Sequence, residues 1–253
     1  MSTTSPVPDG VFGLGTSSSG PSASGRPLAP SVFPTPPAMR PTLHGRKGLV
    51  VAGHPIAAHV ASTVLELGGN AIDAGVAGGL VMNVVQADMC SFGGIAPMLV
   101  RRAGEPEVSS IAGVGTWSAS ASIDAFVARH GMNMAPGVST SVVPSAVAAW
   151  ISALRHGGTW GFADVATWAI ELAEDGFVVD PVVAAGVRVF STTFRQWKST
   201  TDIFCPGGEP ARVGSVLIQP KLAEVIRHVA DAERRALRSG SPRTGGLDAA
   251  HRA

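Results

Sequence analysis

Attack on an acyl carbon needs a nucleophile with a base beside it, so hydroxyl, thiol and carboxyl groups come first. The chain carries two threonine pairs, Thr192-Thr193 within Phe190-Ser-Thr-Thr-Phe194, and Thr200-Thr201. Neither has a glycine or a histidine beside it, so neither has the setting of an activated nucleophile. Cys90 and Cys205 lie far apart and form no Cys-x-x-Cys pattern. They read as buried free thiols, compatible with a reducing compartment. The 7 histidines show no ligand-like spacing, and no metal or organic cofactor is expected. His54 and His59 read as core or helix-surface residues rather than bases. Asp164, Glu171, Glu174 and Asp175 read as a solvated helix face. Asp73 is different, because it falls inside an apolar run. It either orients groups near a site or bonds a buried backbone group, and the second weighs more, because a buried carboxylate must find partners.

These residues need elements to position them. Gly48-Leu-Val-Val-Ala52 predicts a short buried strand. His54-Pro55 opens a helix, with Ile56, Val60, Val64 and Leu67 at near-helical spacing and a stop at Gly68-Gly69. Asn70 is a good N-cap for the next helix, Ala71 to Val85, which is apolar nearly all round and rich in glycine and alanine. Its small residues predict a central helix closely approached on both sides. Gln86 to Pro97 reads as a loop containing Ser91-Phe-Gly-Gly94. A hairpin follows, Pro97 to Arg102 and Val108 to Ile111, turning at Gly104-Glu-Pro106. Further helices are expected over Ser120 to His130, from Pro144 to Gly157, from Phe162 to Gly176, and from Asp180-Pro181. Cys205-Pro-Gly-Gly208 reads as a turn. A last helix after Gln219-Pro220 should bury Leu222, Val225, Ile226 and Val229. Grouped helices with hairpin strands give an α+β or layered class rather than Rossmann alternation.

The composition supports a folded body, with 45% hydrophobic and 15% charged residues among 253. A net charge of +1 gives no reason to expect a nucleic-acid partner. Residues 1–45, rich in Ser, Thr, Pro and Gly, read as a disordered leader. Residues 46–230 read as the ordered portion, and residues 231–253 as an Arg-rich truncated tail. No secretory signal pattern opens the chain, and no apolar run reaches the ~20 residues that span a bilayer. A cytoplasmic protein without membrane contact is expected.

Several runs together carry a resemblance. Gly48-Leu-Val-Val-Ala-Gly-His-Pro-Ile-Ala-Ala58, followed by Leu65-Glu-Leu-Gly-Gly-Asn-Ala-Ile-Asp-Ala74, resembles the opening of the γ-glutamyltransferase family. In the same order come Ser91-Phe-Gly-Gly-Ile-Ala-Pro-Met-Leu-Val100, Val143-Pro-Ser-Ala-Val-Ala-Ala-Trp150, Ala169-Ile-Glu-Leu-Ala-Glu-Asp-Gly-Phe-Val178 and the Gln219-Pro220 region, each similar to a family segment. The resemblance implies an N-terminal-nucleophile hydrolase, with two central sheets between helix layers (αββα), incomplete in this chain. It implies a proenzyme that cuts itself into a large and a small subunit. The new N-terminal Thr of the small subunit attacks the γ-amide of glutathione or a related compound. The chain is then the front part of the large subunit. Its partners are the small subunit and a small-molecule amide or γ-glutamyl substrate. Gly68, Gly69, Asn70 and Asp73 form the structural motif, and Gly93, Gly94, Val114, Gly115, Thr116 and Trp117 are the candidate pocket residues.

Two departures matter. The family's Gly-Thr-Thr-His-type nucleophile motif does not occur in the sequence. A fragment, a truncated product or one chain of a split enzyme is expected, inactive by itself, with a non-catalytic remnant or binding subunit as the alternative. Second, Ile111-Ala-Gly-Val-Gly-Thr-Trp117 aligns with a family segment whose Arg pairs with the substrate α-carboxylate, and Val114 stands at the Arg position. A Val cannot hold a carboxylate. This points toward family members that are acylases or amidohydrolases on other acyl groups. Trp117 either lines such a pocket or packs in the core.

Overall fold

The computed structural model describes residues 43–133 and 137–253. The leader expected over residues 1–45 therefore falls almost wholly outside the described residues. The body is mostly helical, with two short antiparallel ladders.

Helix α1 (Pro55–Glu66) starts where proline costs no helical hydrogen bond. His54 caps it, its Nδ1 accepting from Ile56 N–H at 3.2 Å. Gly68, at φ 96°, ends the following turn in a conformation suited to glycine. Helix α2 (Ala71–Val85) begins with a reciprocal capping box between Asn70 and Asp73. It is the central element. A Cβ on Gly78 would sit 3.2 Å from the Ala61 Cβ of α1, and one on Gly79 would sit 2.5 Å from the Trp150 ring. Small residues thus let α2 be approached from two sides, as its composition predicts.

Strands β1 (Met98–Arg101) and β2 (Val108–Ile111) pair antiparallel, with Met98 opposite Ile111 and Arg101 opposite Val108. Met98, Val100, Ser109 and Ile111 face inward, while Leu99, Arg101, Val108 and Ser110 face out. Helix α3 (Ile123–His130) buries no residue. Helix α4 (Ala146–Gly157) packs on α2 with Ile151 and Leu154 fully buried. The single helix expected from Phe162 is two, α5 (Phe162–Val165) and α6 (Thr167–Asp175). Thr167 Oγ1 donates to Ala163 O at 3.1 Å, a back-bond of the kind that bends helices. Strand β3 (Phe177–Val178) pairs with β4 (Val216–Leu217). Between them lie α7 (Pro181–Phe194) and α8 (Lys198–Phe204), the latter unanticipated from sequence. Helix α9 (Pro220–Arg238) buries Ala223, Ile226, Val229 and Ala230. Helix α10 (Arg243–Arg252) follows.

The strand expected at 48–52 does not form. Val50 packs against the core, but Leu49 and Val51 are 59% and 87% exposed. Among the described residues no strand pairs with the segment, and a strand needs a neighbour to complete its hydrogen bonds. In α9, Val225 is exposed rather than part of the stripe. Residue 231 falls inside α9, so residues 231–253 are not a tail. Leu247 and Ala250 are buried, Arg155 pairs with Asp248, and the Arg243 guanidinium donates to Trp160 O at 3.0 Å. Gly245 and Gly246 lie within α10, where Gly246 fits closely against Leu237 and Glu233. Cys205 is buried as expected, whereas Cys90 is half-buried.

Among the described residues no helix is long and apolar enough to cross a membrane.

Candidate functional site

Two groups of expected residues separate in space. The first, Gly68, Gly69, Asn70 and Asp73, is a structural joint. Asp73 is fully buried. One of its oxygens, Oδ2, accepts from Asn70 N–H at 2.9 Å and from the Thr159 hydroxyl at 2.6 Å. Its Oδ1 accepts from the backbone N–H groups of Thr159 at 2.9 Å and Trp160 at 3.2 Å. Asn70 Oδ1 caps α2 through Ile72 N–H, and Asn70 Nδ2 donates to Gly157 O at 2.7 Å. The carboxylate therefore organises the turn between α4 and α5 and has the partners a buried charge requires.

From the other side of that turn, Glu233 of α9, also fully buried, accepts from Phe162 N–H at 3.0 Å and Ala163 N–H at 2.6 Å. Burial pushes its carboxyl up from the ordinary glutamate range, and the two N–H bonds oppose that shift. Sequence reading missed Glu233. The available signal was an acidic residue in helical register with the Ala223–Ile226–Ala230 stripe.

The second group meets at a junction of three chain segments. Gly94 N–H donates to Ser91 O, and Gly94 O accepts from Ser145 N–H and Ala146 N–H, both at 3.0 Å, at the start of α4. Ala96 N–H donates to Gly113 O at 2.8 Å. Ser145 Oγ donates to the same Gly113 O at 2.8 Å. Val143 N–H donates to Thr116 O at 2.8 Å. The close approaches depend on glycine. At Gly113, φ 50°, a Cβ would sit 2.2 Å from Ala96 O, and at Gly115, φ 75°, one would sit 2.3 Å from Val143 O. Gly94 and residues 113–116 thus belong to one strip, tied by Ser145, which sequence reading did not single out. Its signal was its place after Pro144 at a helix start.

The strip is open. Val114 is 47% and Trp117 50% exposed, and Thr116 is exposed. Trp117 is therefore not a core residue. Gly93 is exposed, with open space around its α-carbon. A groove of about 760 Å³ lies elsewhere, between the start of α2, β1 and α4. Its lining includes Asn70, Met98, Val100, Arg102 and Trp150, and no residue of the strip.

Neither threonine pair gains a base. Thr192 and Thr193 lie within α7, Thr200 and Thr201 within α8, and Thr201 Oγ1 bonds the carbonyls of Phe194 and Trp197. His59 is exposed, and Asp164, Glu171, Glu174 and Asp175 line solvent. Among the described residues no group of three or more His, Cys, Asp or Glu side chains converges as a metal site.

The architecture is that of the N-terminal-nucleophile hydrolases. The crystal structure of Helicobacter pylori γ-glutamyltranspeptidase matches with a TM-score of 0.70 and 25% identity, over 82% of this chain and 65% of that one. The chain belongs to the gamma-glutamyltranspeptidase family, whose model matches residues 57–241. The glutathione hydrolase proenzyme of Bacillus subtilis (strain 168) is 31% identical over 189 residues, 72% of this chain and 32% of that protein. The acylase ACY 1 proenzyme of Pseudomonas sp. (strain V22) is 30% identical over 207 residues, 78% of this chain and 37% of that protein. The chain thus spans about a third of the length of these curated relatives.

Proposed function

We propose that this chain is the large-subunit portion of a γ-glutamyltransferase-like amide hydrolase or acyltransferase, and that it works with a partner polypeptide carrying an N-terminal Thr. The observation that carries the reading is the family match over residues 57–241 in a sequence without a Gly-Thr-Thr-His motif. In such a pair the Thr hydroxyl attacks the substrate carbonyl while its own free α-amino group takes the proton. Backbone N–H groups of a glycine-rich segment stabilise the oxyanion, and the acyl group then passes to water or an amine. The chain supplies scaffold and one pocket wall, formed by Gly93, Gly94 and residues 114–117. By itself it is inactive.

Val114 favours the acylase or amidohydrolase variant of this chemistry. An apolar, half-exposed side chain stands where the family resemblance places a carboxylate-binding Arg. The substrate is then an amide whose acyl group lacks the amino-acid end of a γ-glutamyl compound. One of the similar proteins is an acylase proenzyme, which supports this reading.

The test compares turnover of a γ-glutamyl anilide and of a simple acyl anilide, by the chain alone and after co-expression with the downstream coding sequence. Turnover of the acyl anilide only on co-expression is the expected result. Turnover by the chain alone would overturn the assignment of the nucleophile to a partner. Silence with every substrate, together with a downstream sequence lacking the nucleophile motif, would favour a non-catalytic remnant.

A further inference from the structure

Where the end of α2 meets the starts of α1 and α7, polar groups are buried without being satisfied. Among the described residues, four buried side-chain atoms lack a hydrogen-bond partner, and all four are here: His54 Nε2, Gln86 Oε1 and both carboxylate oxygens of Asp88. Such atoms are rare in native proteins and call for a reason. A Cβ on Gly186 of α7 would sit 2.1 Å from Asp88 Oδ2, so the carboxylate lies directly on the α7 backbone. A Cβ on Gly53 would sit 2.9 Å from Gln86 Oε1. His54 is 4% exposed, and its Nε2 lies 3.4 Å from Asp180 Oδ2. Asp180 Oδ1 is already engaged, capping α7 through Val183 N–H at 2.8 Å.

The titratable groups facing Asp88 are Asp180 from the start of α7 and Cys90 from its own turn, with the His54 ring from the start of α1 beside Asp180. None brings a positive charge in this geometry. The Nδ1 of His54 accepts the Ile56 N–H, so the imidazole is held neutral with its proton on Nε2. Burial lowers the His54 pKa, and the charge of Asp180 raises it by less. Among the described residues no lysine or arginine forms an ion pair with Asp88 or Asp180. A charged Asp88 is therefore a buried anion near a second anion, whereas a neutral Asp88 needs no counter-charge and has an O–H to donate.

We propose that Asp88, Asp180 and His54 form a proton-operated latch between the turn 86–90 and helix α7. When Asp88 takes one proton from solvent, the turn is clamped on α7. When it gives the proton back, the turn loosens. The turn runs directly into Ser91–Gly94, whose Gly94 carbonyl holds the start of α4. Loosening is thus passed to the glycine loop. The latch stands on this geometry alone, and only its effect on a substrate loop rests on reading Gly93–Gly94 as pocket wall.

Burial raises the Asp88 pKa above the ordinary aspartate value, with the nearness of its own backbone N–H opposing and the charge of Asp180 adding. A raised folded-state value means that its contribution to stability is full below the unfolded value of about 3.9 and is lost as pH rises through the folded value. The experiment uses the full chain without substrate and compares wild type with Asp88→Asn and Asp88→Ala. Asp88→Asn imitates the neutral acid. It should melt above wild type at about pH 8, with the difference closing by about pH 4. Amide exchange over residues 87–96 should be several-fold faster in wild type than in Asp88→Asn at the higher pH, and equal at the lower. Asp88→Ala, which leaves a gap, should melt below Asp88→Asn at both. A carbon-13 titration of the wild-type Asp88 carboxyl provides an independent reading and should give a midpoint above about 3.9. A midpoint at or below that value overturns the latch. So does a difference between wild type and Asp88→Asn that does not change with pH, or an Asp88→Asn chain that fails to fold at the higher pH. None of these readings uses turnover, so the latch and the proposed enzymatic function can fail separately.

Discussion

The helical body and the strand face of this chain are finished to different degrees. In the body, α2 is enclosed by α1, α4, α5 and α6, and its carboxylate Asp73 has four donors. Glu233 likewise has two backbone N–H partners. On the strand face, Leu99 and Val108 are 77% and 54% exposed, and the β1–β2 ladder has two strands. Two-stranded hairpins are marginal alone, and contiguous exposed apolar surface marks contact sites. The body is thus closed by its own residues, while the strand face has the character of a surface awaiting more polypeptide. That difference supports the proposed partner from packing rather than from sequence likeness.

The sharpest way to break the comparison is in the body. Asp73→Ala strands the Thr159 and Trp160 N–H groups in the interior and opens the Asn70–Asp73 capping box at the start of α2. A cost of about 3 kcal/mol is expected, since each stranded donor carries its own desolvation penalty. Chemical denaturation measures it, and a loss below about 1 kcal/mol would mean that water replaces the carboxylate and that the body is less closed than described.

Glu233→Ala should cost somewhat less, about 2 kcal/mol, because two donors rather than four are released. Its pH dependence gives a finer test. The folded carboxyl titrates above the ordinary value, so its stabilising contribution is full below about pH 4.3 and falls as pH rises through the folded value. Wild-type stability minus that of Glu233→Gln should therefore fall as pH rises. A difference that rises with pH reverses the sign and contradicts the burial argument.

Gly113→Ala moves to the strand face. Its φ of 50° and the 2.2 Å approach of Ala96 O forbid a side chain without local rearrangement. The expected cost is about 1–2 kcal/mol, with the loss of exchange protection confined to residues 94–96, 111–116 and 143–146. Loss of protection spread through α2 and α9 would show that the junction and the body unfold together.

The helices were legible because their signals are local. Asn70 as N-cap, Pro55, Pro181 and Pro220 as first residues, and Gly68 and Gly176 as stops are each read from a few neighbouring positions. The hairpin was legible from two short runs and the Gly104-Glu-Pro106 turn between them. What failed depended on distant partners. Residues 48–52 form the short apolar run expected of a buried strand, yet such a run cannot supply a neighbouring strand. The Arg-rich end looked like a tail because its surface charges outnumber the few buried positions, Leu247 and Ala250, that fix α10 to the body. At the site, Val114 was legible as a departure, whereas the bridging role of Ser145 required knowing that residues 94, 113 and 145 meet. Asp88 gave no sequence signal either, since its isolation comes from Gly186, nearly a hundred residues away.

The smallest expected effect on stability separates the two regions best. Leu99 faces out from β1 and is 77% exposed, so Leu99→Lys removes little buried surface and should change the chain's own stability by less than about 0.5 kcal/mol. If the strand face is where the partner polypeptide packs, the same charge is buried unpaired on assembly, and such a charge is costly to bury. Co-purification with the downstream polypeptide should then fall at least tenfold, with the melting midpoint of the isolated chain unchanged. Val225→Lys, at an exposed position of α9 (51%), is the control and should leave assembly intact. If both substitutions spare assembly, the partner packs elsewhere. If Leu99→Lys lowers the melting midpoint of the isolated chain by itself, the β1–β2 face is already covered within this chain, and the distinction between a closed body and an open strand face fails.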